Sequence, residues 1–540
     1  MYMGKIEVLD CTLRDGAYIV ESRFGTAAIR GIIGKLQNSE IEIVECGWLK
    51  DKPHEDGTSF YHIPDDLKKY MSGKNPACTY VVMIDWDRYD DSVLPPCDGS
   101  SVDAVRVVFP HGRIKQALAI AERIRDKGYS IYLQAANTLA YSESDLSELA
   151  DEVNKFRPVG ISIVDTFGAM YEDDLLSIAE SLDSMLDNGI KLGFHSHNNQ
   201  QMAFANSIAF ANFFAGRERD VIIDSSLCGM GRGAGNATTE LITSYLNKKY
   251  NKNYNLNIIL DTIDTYMVQF EEHYRWGYSI PYFIAGTYCC HVNNIAYLLN
   301  NHRTGAKDMR NIIESLDPSD RLKYDYDLLE QKYVENQSRL VDDAESFDEL
   351  KNTLAGRKIV LVAPGKSSSD NVMMINSYIN DNNAISIAVN AILPGYDYDY
   401  LFFSNAVRYD YARETFRAAF DRNKRIILSN VKTVPDAGEL IINFNRAIKR
   451  GWKHFDNAVI CMLRLLEKLG VKDIAIAGFD GFKTLYNESY ADPSLPTLSG
   501  DIDYSELNDE IKDMYDDCVK CFGDKVNIEF ITESYFGRQR

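Results

Sequence analysis

The 540-residue sequence predicts an α/β protein of two unlike halves: an N-terminal (β/α)8 TIM barrel with a helical extension, then a Rossmann-like α/β domain. Three observations predict this. Eight short apolar runs alternate with amphipathic stretches in the first half, the rhythm of a barrel. The alternation stops over residues 257–350 and then restarts. The polar residues of the first half gather at the ends of the apolar runs, where barrel enzymes carry their sites.

The eight runs are Ile6–Leu13, Ile41–Cys46, Tyr80–Ile84, Ala104–Phe109, Ser130–Ala135, Gly160–Val164, Lys191–His195 and Val221–Ser225. They are continuously apolar, as strands buried on both faces should be. Ile114–Asp126, Glu143–Lys155 and Asp173–Asp187 read as helices between them, with Ser142–Asp145 as a helix start. A doubly wound sheet is the alternative, but eight consecutive parallel units fit it less well. The predicted domains are 1–256 (barrel), 257–350 (helical extension, with Ile258–Glu272, Ala285–Leu299 and Asp308–Glu314) and 356–540 (Rossmann-like). The last has strands at Lys358–Val362, Ala384–Val389, Tyr400–Ser404, Arg425–Leu428 and Asp473–Ala477, and a helix at Ala458–Leu469.

A net charge of −21 disfavours nucleic acid and anionic membrane as partners. No run approaches the roughly 18 apolar residues of a membrane span. The N-terminus enters a β-like run with no signal peptide, and the 10 cysteines are scattered, so a reducing cytoplasm is expected. The lone pair Cys518 and Cys521 lacks the second pair that a zinc site would need.

Asp15 follows the first run, and His195 and His197 end the seventh. Residues i and i+2 of a strand share a face, so both imidazoles can meet one ion with the Asp15 carboxylate. A pair of surface histidines is the bland alternative. Arg14, next to the carboxylate, can stabilise an oxyanion, which suggests carbon–carbon bond chemistry beside a carbonyl.

Four segments occur in order: Asp10-Cys11-Thr12-Leu13-Arg14-Asp15-Gly16, Val164-Asp165-Thr166-Phe167-Gly168, His195-Ser196-His197-Asn198-Asn199 and Gly229-Met230-Gly231-Arg232-Gly233-Ala234-Gly235-Asn236. With them, roughly residues 4–300 resemble the DRE-TIM metallolyases of the HMGL-like type, and most of all the 4-hydroxy-2-oxovalerate aldolase branch. The resemblance implies Mn²⁺ or Mg²⁺ on Asp15, His195 and His197, with Asn236 as a further ligand or a loop-shaping residue. It implies that Arg14 stabilises a metal-bound pyruvate enolate, that Glu45 orients Arg14, and that Thr166 lies near the pyruvate carboxylate. Tyr288 would match a tyrosine supplied from the extension. The family's general-base histidine is replaced here by Tyr18, whose intrinsic pKa near 10 makes a poorer base. Val164 stands where carboxyltransferases carry a modified lysine, which argues against biotin chemistry.

The implied reaction cleaves or forms a 4-hydroxy-2-oxo acid, so the expected ligands are a 2-oxo acid and an aldehyde. The alternatives are a Claisen-type acyl-CoA condensation, or a silenced barrel kept for binding. In the second half, Asp456–Asp480 resembles bacterial sialyltransferase-like and motility-accessory domains. That resemblance implies a nucleotide or nucleotide-sugar site using Gly365, Ser367, Ser368 and Asp480, with His454 a weak catalytic candidate, in sugar or surface-polysaccharide precursor metabolism. A homo-oligomer is expected.

Overall fold

The computed structural model describes residues 4–302, 304–452, 454–483, 489–496 and 503–537. The first sheet contains β1 (Ile6–Asp10), β2 (Ile43–Leu49), β3 (Phe60–Tyr61), β4 (Thr79–Asp85), β5 (Ala104–Phe109), β6 (Ser130–Ala135), β7 (Gly160–Asp165), β8 (Lys191–Ser196) and β9 (Val221–Ser225). All its pairings are parallel, and β1 pairs with both β2 and β9, so the sheet closes into a TIM barrel. β3 is a two-residue addition on the outer side of β2.

Why the barrel closes is legible in its helices. In Ile114–Asp126, Ile114, Ala117, Ile120, Ala121 and Ile124 are buried, a stripe at helical spacing that faces the strands. Ser142 starts the helix Glu143–Phe156 with a reciprocal capping box to Asp145, where the sequence places a helix start. The first expected strand is shorter than its apolar run. It ends at Asp10, and Thr12–Asp15 turns into a short helix, because the Asp10 carboxylate takes the Thr12 N–H at 2.9 Å and pulls the chain out of the sheet.

The barrel bore is layered. Leu9, Ile43, Val81, Ala104, Tyr132 and Ile222 form a small apolar cluster inside it. Side chains repeat with period two along a strand. Two residues further on, the same inward rows present Cys11, Glu45, Arg106, Gln134 and Asp224, all buried. The lower layer supplies packing and the upper layer supplies charge.

The second sheet is β10 (Lys358–Val362), β11 (Ile385–Val389), β12 (Tyr400–Phe403), β13 (Lys424–Leu428), β14 (Glu439–Ile442), β15 (Asp473–Ala477) and β16 (Asn527–Phe530). It is fully parallel, in the order β14-β13-β12-β11-β10-β15-β16. Progress along the chain runs outward from β10 to β14, then jumps back to β15 on the other side of β10. That reversal is a topological switch point of a doubly wound sheet. β14 and β16 were not anticipated; both are four-residue edge strands, too short to show a pattern.

The chain forms two compact units that divide after Val292, inside the predicted 257–350 extension. The helices Leu256–Thr262, Val268–His273 and Ile280–Thr287 belong with the barrel, and Ile259, Met267 and Phe270 join its core. The helix Ala344–Leu354 belongs with the second sheet. Leu350 and Leu354 are in that core, and Asp343 accepts Arg446 Nε at 2.6 Å, Arg446 Nη2 at 2.8 Å and the Asn443 N–H at 2.9 Å.

One glycine in β2 is required by close approach. The register between β2 and β4 shifts between Glu45 and Trp48, and Gly47 in that bulge has φ +141°. A Cβ there would lie 2.0 Å from the Ser59 carbonyl oxygen. Gly47→Ala should therefore destabilise the barrel by at least about 2 kcal/mol. Urea denaturation followed by circular dichroism would read this as a lowered midpoint.

Candidate metal centre

Asp15, His195 and His197 come together at the carboxyl end of the barrel, with one donor atom from each lying within 4.8 Å of the others. Their positions follow from local structure. Asp15 ends the short helix after β1, His195 lies in β8, and His197 follows one residue beyond it, bridged antiparallel to Asn236. The imidazoles are 5.1 Å apart and perpendicular.

Three buried polar atoms at this point have no hydrogen-bond partner among the described residues: Asp15 Oδ2, His197 Nδ1 and Asn236 Oδ1. His195 directs Nδ1 at Asp224 Oδ2 at 3.0 Å, which leaves its Nε2 for the cluster. A carboxylate oxygen, an amide oxygen and two imidazole nitrogens, all unsatisfied or free, make an oxygen and nitrogen donor set suited to a divalent ion rather than to a soft metal. The residues present therefore fit a divalent ion.

Charge is balanced by a buried relay. Arg14 donates from Nε to Glu45 Oε2 at 2.7 Å and from Nη1 to Asp15 Oδ1 at 2.6 Å. Arg106 pairs with Glu45 Oε2 at 2.9 Å and with Asp224. Glu45 thus orients Arg14, and the Trp48 indole N–H holds the Arg14 carbonyl at 3.1 Å. Two guanidinium groups against three carboxylates leave one negative charge. A divalent cation would convert that to one positive charge, matched to an anionic substrate.

Burial alone would raise the Asp15 carboxyl, but Arg14 and the two histidines outweigh it and hold the group well below the usual carboxylate range. Burial and its neighbours push His197 down to about 4. Asp224 is likewise lowered, its burial outweighed by Arg106 and His195. At neutral pH Asp15 is thus a carboxylate and His197 a neutral imidazole, the states a metal requires of them.

Gly231 keeps the loop after β9 close. A Cβ there would stand 2.4 Å from Asn236 Nδ2 and 2.6 Å from Asp15 Oδ2. Asn236 Nδ2 reaches the Met230 carbonyl at 3.4 Å, and its Oδ1 has no partner among the described residues.

Tyr18 is half-exposed at the mouth. Its ring lies 4.9 Å from the Arg232 guanidinium and edge-on to Trp48 at 6.1 Å. Its surroundings raise its pKa through desolvation, against the opposing pull of Arg232. Arg232 Nη2 is 3.0 Å from His291 Nε2. Thr166 Oγ1 accepts the Asn137 N–H at 2.7 Å. Tyr288 ends the helix Ile280–Thr287, with its ring 5.3 Å from the Arg321 guanidinium.

Asp224 and Arg106 were not anticipated. The signal was present: a lone charge in each of the apolar runs AVRVVF and VIIDS. Asp165 is buried and raised to about 7, and it accepts the Ala169 and Met170 N–H groups at 2.8 and 3.1 Å, a loop-shaping role.

In the second unit, the expected phosphate loop already holds a carboxylate. Asp480 accepts the Ser367 N–H at 2.8 Å and the Ser367 hydroxyl. Ser368 donates to the Ala363 carbonyl at 2.8 Å. Gly365 approaches so closely that a Cβ would lie 2.3 Å from the Gly478 oxygen. His454 directs Nδ1 at Glu510 at 2.6 Å. Cys518 is buried and Cys521 exposed on the helix Tyr504–Phe522.

Residues 110–265, which lie within the barrel unit and carry both histidines and the Gly-rich loop, match the HMGL-like family model. This stretch is similar to the HMGL-like family. Its curated relatives include an oxaloacetate decarboxylase of Mycobacterium tuberculosis, 28% identical over 253 residues that cover 44% of this chain and 69% of the relative. A 4-hydroxy-2-oxovalerate aldolase of Rhodococcus jostii is 26% identical over 251 residues, covering 44% of this chain and 68% of the relative. Among solved structures, the N-terminal domain of an aldolase candidate from Bacteroides vulgatus is 25% identical with a TM-score of 0.48, over 54% of this chain and 95% of that one.

The barrel should bind one Mn²⁺ per chain, and Asp15→Asn should abolish that binding. Asp224→Asn should weaken it about 10–100-fold by freeing the His195 ring, with the far-ultraviolet dichroism unchanged. Titration calorimetry on metal-stripped protein reads both.

Proposed function

We propose that the barrel is a divalent-metal-dependent carbon–carbon lyase that generates a pyruvate enolate from a 2-oxo acid, in the first instance a 4-hydroxy-2-oxo acid. The observation that carries this reading is Arg14, buried beside the ligand carboxylate and clamped by Glu45. Asp15, His195, His197 and Asn236 would hold the ion, which when bound supplies a Lewis acid for the substrate's keto and carboxylate oxygens.

The chain's own residues do the rest. Arg14 presents a fixed guanidinium where negative charge grows on the keto oxygen as the C–C bond breaks. Glu45 and Arg106 keep that guanidinium from reorganising during the reaction. Thr166 accepts the Asn137 N–H and keeps its own proton to give to a carboxylate. The names of the relatives support carbon–carbon cleavage next to a carbonyl.

Tyr18 separates two versions of the chemistry. An aldol cleavage needs a base for the C4 hydroxyl proton. Tyr18, with its pKa raised, holds its own proton at neutral pH and acts as a donor. A decarboxylation needs no such base. CO₂ departs, its bonding electrons pass into the enolate, and a donor protonates C3 to give pyruvate. Tyr18 at the mouth fits that donor, and Arg232 beside it suits a second substrate carboxylate. Decarboxylation of a 2-oxo diacid is therefore the second reading.

The test is pyruvate release from 4-hydroxy-2-oxovalerate and from oxaloacetate, with Mn²⁺ and after chelation. We expect metal-dependent release that Arg14→Ala lowers about 10²–10³-fold in kcat. Tyr18→Phe should slow oxaloacetate about 10²-fold or more while leaving KM nearly unchanged. Acetyl-CoA-dependent thiol release in place of pyruvate would shift the assignment to a Claisen condensation. A bound metal with no turnover of any of these would make the barrel a binding protein.

A further inference from the structure

The second unit has a cavity at the carboxyl ends of β10, β11, β12 and β15, at the switch point of its sheet. Ligands of open parallel sheets bind at such a place. Its lining takes in both ends of the Asp456–Asp480 segment and Gly365, together with Arg408 and Asn405, which the sequence motifs did not single out.

The main feature is Arg408. It is 7% exposed, it lines the cavity, and its Nη1 has no hydrogen-bond partner among the described residues. An unpaired guanidinium nitrogen buried without compensation is costly, and folded chains normally satisfy it. Its guanidinium is held in place by stacking over the Tyr490 ring at 4.7 Å. The side chain is therefore pre-positioned but incompletely bonded.

Two helices begin at the same cavity. Ala406–Thr415 starts at Asn405 and Ala458–Lys468 starts at Asn457, and both cap residues line the cavity. Each helix start carries roughly half a positive charge. One guanidinium and two helix starts together match a dianion better than a monoanion. Two carboxylates, Asp456 and Asp480, also line the cavity. Asp480 is already spent on Ser367, so the Gly365 loop is not the anion's seat. The carboxylates disfavour a chain of phosphates and suit hydroxyl groups on the same ligand.

We propose that this cavity is a binding site for an organic monophosphate bearing hydroxyl groups, with Arg408 as the group that takes the phosphate. The site is independent of the barrel chemistry. The phosphate of its occupant takes a charge-assisted hydrogen bond from the Arg408 guanidinium.

The experiment is thermal unfolding of the full-length protein with inorganic phosphate, phenyl phosphate and CMP at about 10 mM, next to the ligand-free protein. Phenyl phosphate or CMP should raise an unfolding midpoint by at least about 2 °C, as expected for a ligand well above its Kd. Arg14→Ala, which removes the barrel's anion group, should keep the shift. Arg408→Met should lose it, and its ligand-free midpoint should equal or exceed that of wild type, because the unsatisfied buried nitrogen is gone. Arg408→Lys should keep a reduced shift. The proposal falls if none of the three probes moves a midpoint, if Arg408→Met responds like wild type, or if Arg14→Ala abolishes the shift. It also falls if Arg408→Met unfolds at a lower temperature without ligand, since the guanidinium would then be structural.

Discussion

The barrel mouth depends on a run of buried charges that neutralise one another in sequence. Asp224 takes His195 and Arg106, Arg106 leans on Glu45, Glu45 holds Arg14, and Arg14 grips Asp15. Every member is at most 5% exposed. A single one of these charges left unpaired in the same place would cost about 3–5 kcal/mol, a large share of a domain's stability. The set is tolerable only as a set. That is why the metal-ligand geometry is stiff: no ring or carboxylate can rotate without stranding its neighbour.

The relay also explains why the site does not collapse without help. Asp15, His197 and Asn236 each keep a buried polar atom without a partner after all these pairings, and the Asp15 and His197 donors come within 4.8 Å of each other just beyond the ends of β1 and β8. The chain thus carries a concentrated, unsatisfied donor set beside supporting residues that are charge-paired but keep unbonded atoms of their own, Glu45 Oε1, Arg106 Nε and Asp224 Oδ1. A cation relieves the former without disturbing the latter. Function and stability here are divided between two rows of side chains two residues apart along the strands.

Much of this was legible in the sequence, for physical reasons. Eight apolar runs located eight strands because strands covered on both faces leave no room for polar residues. Ala104–Phe109, Ser130–Ala135 and Val221–Ser225 were found to the residue. The spacing of His195 and His197 fixed a shared face. What was not legible was pairing across the bore. Arg106 and Asp224 are far apart in sequence and meet only when the barrel closes, so each looked like an isolated charge in a strand. The same holds for the helix Ala344–Leu354, which is tied to the second sheet by Asp343 meeting Arg446 across about a hundred residues. The Gly365–Ser369 loop shows the converse: the motif was visible, but not that Asp480 would fill it.

The net charge of −21 seems at odds with two clefts that each hold an arginine against an expected anion. Distance resolves this. At physiological ionic strength exposed charges are screened over about 8 Å, so the acidic surface is felt only weakly inside a cleft. A buried guanidinium is barely screened, and at the lower effective dielectric of a pocket its field dominates what a ligand meets. Arg14 and Arg408 are both over nine-tenths buried, while the excess acidity is spread over exposed helices such as Glu143–Phe156 and Glu172–Met185. Global charge therefore disfavours polyanionic partners such as nucleic acid, and local burial still admits a small anion at the ends of the strands.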